Sequence, residues 1–92
     1  MTEITRKSIL ADAERCVCQD RESQYGAPED NFLRISHLWN AYKPCGFTPH
    51  DVGIMLALLK IGRIAGGQAK ADNYIDLAGY AACAGEIALK KE

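Results

Sequence analysis

Apolar residues recur along this chain at the three- and four-residue spacing of amphipathic helices, in four segments. Three breaks rich in glycine or proline, at 25–28, 43–46 and 66–67, separate the segments. Glycine commonly ends a helix and proline fits a first helical turn, so the breaks indicate helix ends. No segment shows the apolar–polar alternation of a strand. The pattern predicts one all-α domain, 1–92, with four helices at 2–23, 28–42, 49–65 and 71–90.

The third segment is apolar nearly all the way round, with Lys60 and Arg63 as the charged residues beyond its first turn. Thr48 is expected to cap its N-terminus, with Pro49 in the first helical position and Asp51 completing a capping box. A helix with apolar residues around most of its circumference is expected to be buried on several sides. The third helix is therefore predicted to be the central one.

The chain is so short that a single copy can bury only a small core. Its 92 residues are 48% hydrophobic, which is ample for a folded core and argues against disorder. A chain of this length still leaves a large share of its surface exposed, and a second copy would extend the core. We therefore expect a homodimer.

Charge and cysteine content narrow the function classes. Eleven basic and twelve acidic residues give a net charge of −1, without the positive excess typical of proteins that bind duplex nucleic acid. Cys16 and Cys18 lie two apart on a predicted helix and point away from each other, which argues against a shared metal ion. No apolar run is long enough for a signal peptide or a membrane span. The sequence predicts a cytoplasmic protein with reduced thiols and no membrane association.

The fourth helix carries a polar stripe on an otherwise apolar segment. Asp72, Asn73, Asp76 and Tyr80 fall within about 100° of helical arc. Two carboxylates four residues apart can share a divalent cation or accept hydrogen bonds from one guanidinium group. The alternative is a helix start that carries acidic residues for the helix dipole and one structural ion pair.

Lys60 and Arg63 are candidate partners for these acids, because the turn at 66–67 brings the third and fourth helices back against each other. Buried cations are costly unless they are paired. In one interpretation, the two cations form a structural ion-pair cluster with Asp72 and Asp76. In the other, they face a phosphate while the acids place a metal ion or orient the cations. Residue spacing leaves both interpretations open.

A third cluster surrounds the first break, where Arg21, Gln24 and Tyr25 precede Gly26 and Asn31 follows it. The glycine and tyrosine are compatible with simple turn chemistry. Asn31, however, lies on the apolar face of the second helix, where its amide requires a partner from the backbone or from a ligand. These side chains are therefore candidate ligand contacts.

Three motifs in order carry a family resemblance: RESQYGAPEDNF, LLKIGRI and KADNYIDLAGY, within residues 17–87. Together they resemble a group of phage and prophage proteins that includes the nucleotide-modification-associated domain. The set is also similar, more distantly, to the MazG-like all-α nucleoside triphosphate pyrophosphohydrolases. The resemblance implies a MazG-like helical fold that dimerises into a larger bundle, with a nucleotide site near the subunit interface.

The resemblance also implies a ligand set, because the MazG-like enzymes hold magnesium with two acidic helix motifs. The second motif best matches 73–76, where Asn73 replaces a glutamate and Asp76 is kept. The first best matches the third helix, where Lys60 and Arg63 replace two glutamates. The resemblance thus implies nucleotide binding more strongly than hydrolysis. If hydrolysis is retained, it implies Mg²⁺ on Asp72 and Asp76, with Glu22, Glu29 or Asp51 as candidate further ligands.

Two hypotheses for the function follow. In the first, the protein binds a nucleotide or related phosphorylated small molecule, as an altered or vestigial pyrophosphohydrolase of phage type. The expected ligand contacts are Arg21, Tyr25, Asn31, Lys60, Arg63, Asn73 and Tyr80. In the second, it is a small phage-encoded interaction or inhibitor protein without enzymatic activity, which binds a host or phage protein. The polar cluster is then only structural.

Overall fold

The computed structural model describes residues 3–90, which form helices and connecting turns without any strand. Helices α1 (Arg6–Arg15) and α2 (Arg21–Tyr25) run into one another through a π-helical segment at Cys16–Asp20 and make one continuous first helix. Helices α3 (Pro28–Tyr42), α4 (Pro49–Ala65) and α5 (Ala71–Leu89) follow. The predicted all-α architecture of four helices is therefore confirmed for the described residues. The first helix was predicted to begin at Thr2, which lies outside these residues.

Local hydrogen bonds fix where the helices begin and end. Thr48 Oγ1 accepts a hydrogen bond from the Asp51 amide at 3.2 Å, and Asp51 Oδ2 accepts one from the Thr48 amide at 3.0 Å. This capping box starts α4 where the sequence indicated it. Thr5 and Ser8 form a second capping box, which places the start of α1 at Arg6. Gly26 ends α2 with a φ of 81°, in the region that favours glycine.

Helices α4 and α5 form an antiparallel pair that approaches closely because small residues face each other. A Cβ atom added to Gly53 would lie 2.8 Å from Ala84 Cβ and 3.3 Å from both Ala84 Cα and a ring atom of Phe32. Val52, one residue before this contact, is completely buried. Val52 joins Phe32 of α3 and Cys83 of α5 in the hydrophobic core. The core therefore lies where α3, α4 and α5 meet.

The opposite side of α4 is covered by no other described helix. Its large apolar side chains are 39–56% exposed and form a single face, which we call the α4 apolar face: Ile54, Met55, Leu58, Leu59 and Ile61. Helix α4 was predicted to be buried on several sides, but within a single chain only one of its sides is buried. None of the described helices combines the length and apolar character that crossing a membrane requires.

The close α4–α5 contact yields a stability test. Gly53→Ala should lower the free energy of unfolding by about 1–2 kcal/mol, because the clash with Ala84 and Phe32 exceeds the gain in helix propensity. Gly85→Ala is the matched control, since a Cβ added at Gly85 meets no atom within 4 Å. It should raise stability by about 0.5–1 kcal/mol. Urea denaturation of both variants measures the difference, and a stabilised Gly53→Ala would contradict this account of the packing.

Candidate functional site

A cavity of about 570 Å³ lies between the first helix, the start of α3 and the middle of α5. This volume falls within the usual range of small-molecule sites. Apolar and aromatic side chains make up much of the wall, and a few polar groups interrupt it. The lining residues are Val17, Arg21, Glu22, Gln24, Tyr25, Gly26, Pro28, Asn31, Phe32, Ile35, Tyr80 and Cys83.

Arg21 is held in the cavity wall by two side chains of α5. Its Nη1 donates a hydrogen bond to Tyr80 Oη at 3.0 Å, and its Nη2 donates one to Asp76 Oδ1 at 3.4 Å. The guanidinium carbon also lies 5.1 Å from the centre of the Tyr80 ring, within the range of a cation–π contact. These contacts fix the guanidinium while several of its N–H donors remain unused.

Asp76 also forms an ion pair with a lysine of α4. Lys60 Nζ lies 2.7 Å from Asp76 Oδ2, and Lys60 as a whole is only 9% exposed. The two carboxylate oxygens of Asp76 therefore serve two cations that come from different helices. We call Lys60, Asp76, Arg21 and Tyr80 the Asp76 network. It satisfies a lysine whose burial would otherwise be strongly unfavourable.

The electrostatic surroundings keep Arg21 charged and Cys83 neutral. Partial burial acts to lower the pKa of Arg21, but the hydrogen bond to Tyr80 and the charge of Asp76 outweigh burial and raise it overall. Arg21 is therefore a permanent cation in the wall. Burial raises the pKa of the Cys83 thiol, and the charge of Glu86 adds to this effect. The Cys83 thiol is therefore an uncharged part of the cavity at neutral pH.

The π-helical segment sets the position of Arg21, which is the first residue after it. A π-helical turn takes in an extra residue and so rotates the residues that follow, and such turns often occur at functional sites. Val17 in this segment packs against Gly79 of α5, where an added Cβ would lie 2.8 Å from Val17 Cγ1. The glycine thus leaves room for the segment beside α5. Sequence periodicity did not reveal the π-helical segment, and Gly79 inside the fourth helix indicated only that another element could approach α5 closely.

The structure brings four of the sequence-predicted ligand contacts together. All four line the cavity: Arg21, Tyr25, Asn31 and Tyr80. The first three lie in the N-terminal part of the sequence, whereas Tyr80 lies near its C-terminal end. Tyr25 is 58% exposed at this site. Three further residues lie in the wall. Gln24 belongs to the predicted cluster around the first break, Glu22 was predicted only as a candidate metal ligand, and Cys83 was not predicted as a contact.

The other three predicted contacts are not part of the cavity wall. Lys60 lies behind Asp76 and reaches the site only through that carboxylate. Arg63 is exposed in the last turn of α4 and forms no ion pair with another described residue. Asn73 is buried and donates a hydrogen bond from Nδ2 to the Gln68 carbonyl at 2.7 Å, which closes the α4–α5 turn. The predicted four-residue ion-pair cluster is thus reduced to Lys60 and Asp76, with Arg21 in the place expected for Arg63.

The acidic residues do not form a set of donors suited to magnesium. Asp76 directs its two oxygens to Lys60 and Arg21, while Asp72 is exposed one turn earlier on α5. Within residues 3–90, no three side chains of histidine, cysteine, aspartate or glutamate are grouped closely enough to hold a metal ion. Two neighbouring cations also disfavour a divalent cation at Asp76. The Mg²⁺ site on Asp72 and Asp76 stays a prediction.

Comparison with known sequences places the chain among phage proteins. Residues 8–88 match a family described as a domain of unknown function, DUF6378. The chain belongs to this family. The DUF6378 domain is 44% identical over 75 residues to the gene 55 protein of Mycobacterium phage L5, which covers 80% of this chain and 48% of the relative. It is 36% identical over 81 residues to the gene 55 protein of Mycobacterium phage D29, which covers 88% of this chain and 54% of the relative.

The DUF6378 domain thus spans about half the length of the curated relatives that it matches. No solved structure matches it. The phage part of the resemblance seen in the sequence is confirmed by these relatives. The relation to MazG-like enzymes and to nucleotides stays a prediction.

Proposed function

We propose that this domain binds a nucleotide or a related phosphorylated small molecule in the cavity between the first helix, α3 and α5. The observation that supports the proposal is the position of Arg21. This cation stands in the wall of a largely apolar cavity of about 570 Å³, with its orientation fixed by Tyr80 and Asp76. A preorganised guanidinium group is well suited to the oxygens of a phosphate.

The rest of the wall suits the organic part of such a ligand. Tyr25 and Tyr80 provide aromatic surface against which a planar ring can stack. Phe32 and Ile35 supply an apolar floor, and Asn31 supplies a carboxamide. Small-molecule sites generally combine such an apolar wall with a few polar groups that orient the ligand.

The proposed activity is binding of the ligand without cleavage of a bond. Splitting a triphosphate in the manner of the MazG-like enzymes would require magnesium on Asp72 and Asp76. Asp76 is engaged by Lys60 and Arg21, so its two oxygens are occupied by cations of the chain itself. Nucleotide binding without cleavage would correspond to the vestigial form of pyrophosphohydrolase that the resemblance implied.

Ligand-induced thermal shifts test the role of Arg21. A nucleotide present at 100 times its dissociation constant adds about 2.7 kcal/mol of stability, which raises the melting temperature of a domain this small by about 10 °C or more. Arg21→Gln should lose most of this shift, measured relative to its own ligand-free melting temperature, because the phosphate contact is removed. Arg63→Gln, which removes an exposed arginine outside the cavity, should keep the shift.

The screen uses nucleoside mono-, di- and triphosphates, each with and without magnesium. Failure of every nucleotide to shift the wild-type protein would contradict nucleotide binding. A shift that is retained in Arg21→Gln would contradict the assignment of Arg21. A shift that requires both a triphosphate and magnesium would instead support the metal site on Asp72 and Asp76.

The α4 apolar face supports a second proposal, that two copies of the chain associate through it. The core of a single copy is small, since Val52 and Ser36 are its largest fully buried side chains. Between Ile54 and Ile61 the only charged residue is Lys60, which is buried on the other side of α4. An uncharged apolar face can pair with its own copy about a two-fold axis without charge repulsion. Such pairing would cover α4 on the side that the chain itself leaves open.

The mass of the protein in solution tests self-association. Light scattering after size exclusion should give twice the monomer mass for the wild type, and Leu58→Asp should shift it to the monomer, because a carboxylate would be buried at the centre of the interface. Leu58 is 56% exposed in one copy, so the variant should remain folded. Leu38→Asp, at a 64% exposed leucine of α3, is the matched control and should remain dimeric. A monomeric wild type would contradict self-association and favour the alternative of an interaction protein that binds a different partner through this face.

A further inference from the structure

The wall of the cavity carries almost no net charge. Among its lining residues, Arg21 is the one basic side chain and Glu22 the one acidic side chain. Lys60 stands behind Asp76 and is not part of the wall. The described residues therefore offer an anionic ligand a single direct cationic contact.

The positive charge of Arg21 is already partly neutralised within the protein. Arg21 Nη2 lies 3.4 Å from Asp76 Oδ1, and Asp76 Oδ2 also forms an ion pair with Lys60 Nζ at 2.7 Å. Two cations and one carboxylate leave one positive charge for the network, and Glu22 opposes it in the wall. A triphosphate brings several negative charges, and charges without partners in a partly enclosed cavity are strongly unfavourable. One positive charge from the network leaves far less uncompensated charge on a ligand with a single phosphate group than on a triphosphate.

Two carboxamides in the wall have unused hydrogen-bonding capacity. Neither Gln24 nor Asn31 forms a side-chain hydrogen bond within residues 3–90. Each carboxamide offers two N–H donors and a carbonyl acceptor. Paired donors and acceptors of this kind match the edge of a nucleobase, which proteins commonly read with a carboxamide while the ring stacks on aromatic side chains. Tyr25, 58% exposed in the same wall, provides a stacking surface.

From this charge balance and these amides, we infer that the ligand is a nucleoside that carries a single phosphate group, not a triphosphate. The phosphate contacts Arg21, and the edge of the base contacts Asn31 and Gln24. The inference rests on the proposed function of the cavity and goes beyond it by specifying the number of phosphates and the groups that read the base.

The number of phosphates is tested by calorimetric titration of the full chain in a buffer that contains a metal chelator. The probes are the 5′-monophosphates of adenosine, guanosine, cytidine and thymidine and the corresponding triphosphates. The preferred base should bind at least tenfold more tightly as the monophosphate than as the triphosphate. A triphosphate that binds as tightly as the monophosphate without metal would overturn the inference while the proposed nucleotide site stands. Absence of binding by every probe would overturn both.

The reading of the base is tested with Asn31→Leu, which keeps the approximate size of the side chain and removes its hydrogen bonds. This variant should bind the preferred monophosphate at least tenfold more weakly but should bind ribose 5-phosphate, which has no base, as the wild type does. Arg21→Gln should weaken the binding of both probes. Gln19→Leu removes an exposed carboxamide outside the cavity and should change neither affinity. Equal losses for both probes in Asn31→Leu would show that Asn31 acts on the fold of the cavity and would overturn its assignment to the base.

Discussion

One carboxylate joins three helices of this domain. One oxygen of Asp76 on α5 forms an ion pair with Lys60 on α4. The other oxygen accepts a hydrogen bond from Arg21 on the first helix. Burying charges is unfavourable unless each finds a partner, so the buried lysine requires the carboxylate, and the more exposed arginine adds a second cationic partner to it. The same contacts fix the relative positions of three helices. The cavity wall that Arg21 helps to form therefore depends on a residue that does not itself line the cavity.

Backbone features allow the helices to meet at this carboxylate. Gly53 lets α4 approach α5, and Gly79 leaves space for Val17 in the π-helical segment. That segment in turn precedes Arg21 and sets its direction around the helix axis. Close helix packing and the position of the cation are thus two results of the same arrangement of small residues. The α4 apolar face remains uncovered because the neighbours of α4 lie on its other side.

The sequence predicted the helices and part of the site. Apolar spacing, the glycine and proline breaks and the capping signal at Thr48 were sufficient for the helices, since these are local features. The pairing of Lys60 with Asp76 also followed, because α4 and α5 are consecutive helices joined by a short turn. The contact between Arg21 and Asp76 joins residues 55 apart, and its geometry depends on an irregular helical turn that leaves no periodic signal. One of the two interpretations of the sequence expected Arg63 in this place, but in the folded chain it is exposed at the end of α4.

The sharing of Asp76 between two cations is tested most directly by a double-mutant cycle in urea denaturation, with Lys60→Met, Arg21→Gln and the combined variant. Each single variant leaves Asp76 with one cationic partner, whereas the combined variant leaves a largely buried carboxylate with none. The combined loss in the free energy of unfolding should therefore exceed the sum of the single losses by about 1 kcal/mol or more. Losses that add to within about 0.5 kcal/mol would show that the two cations do not depend on a common carboxylate and would contradict this account.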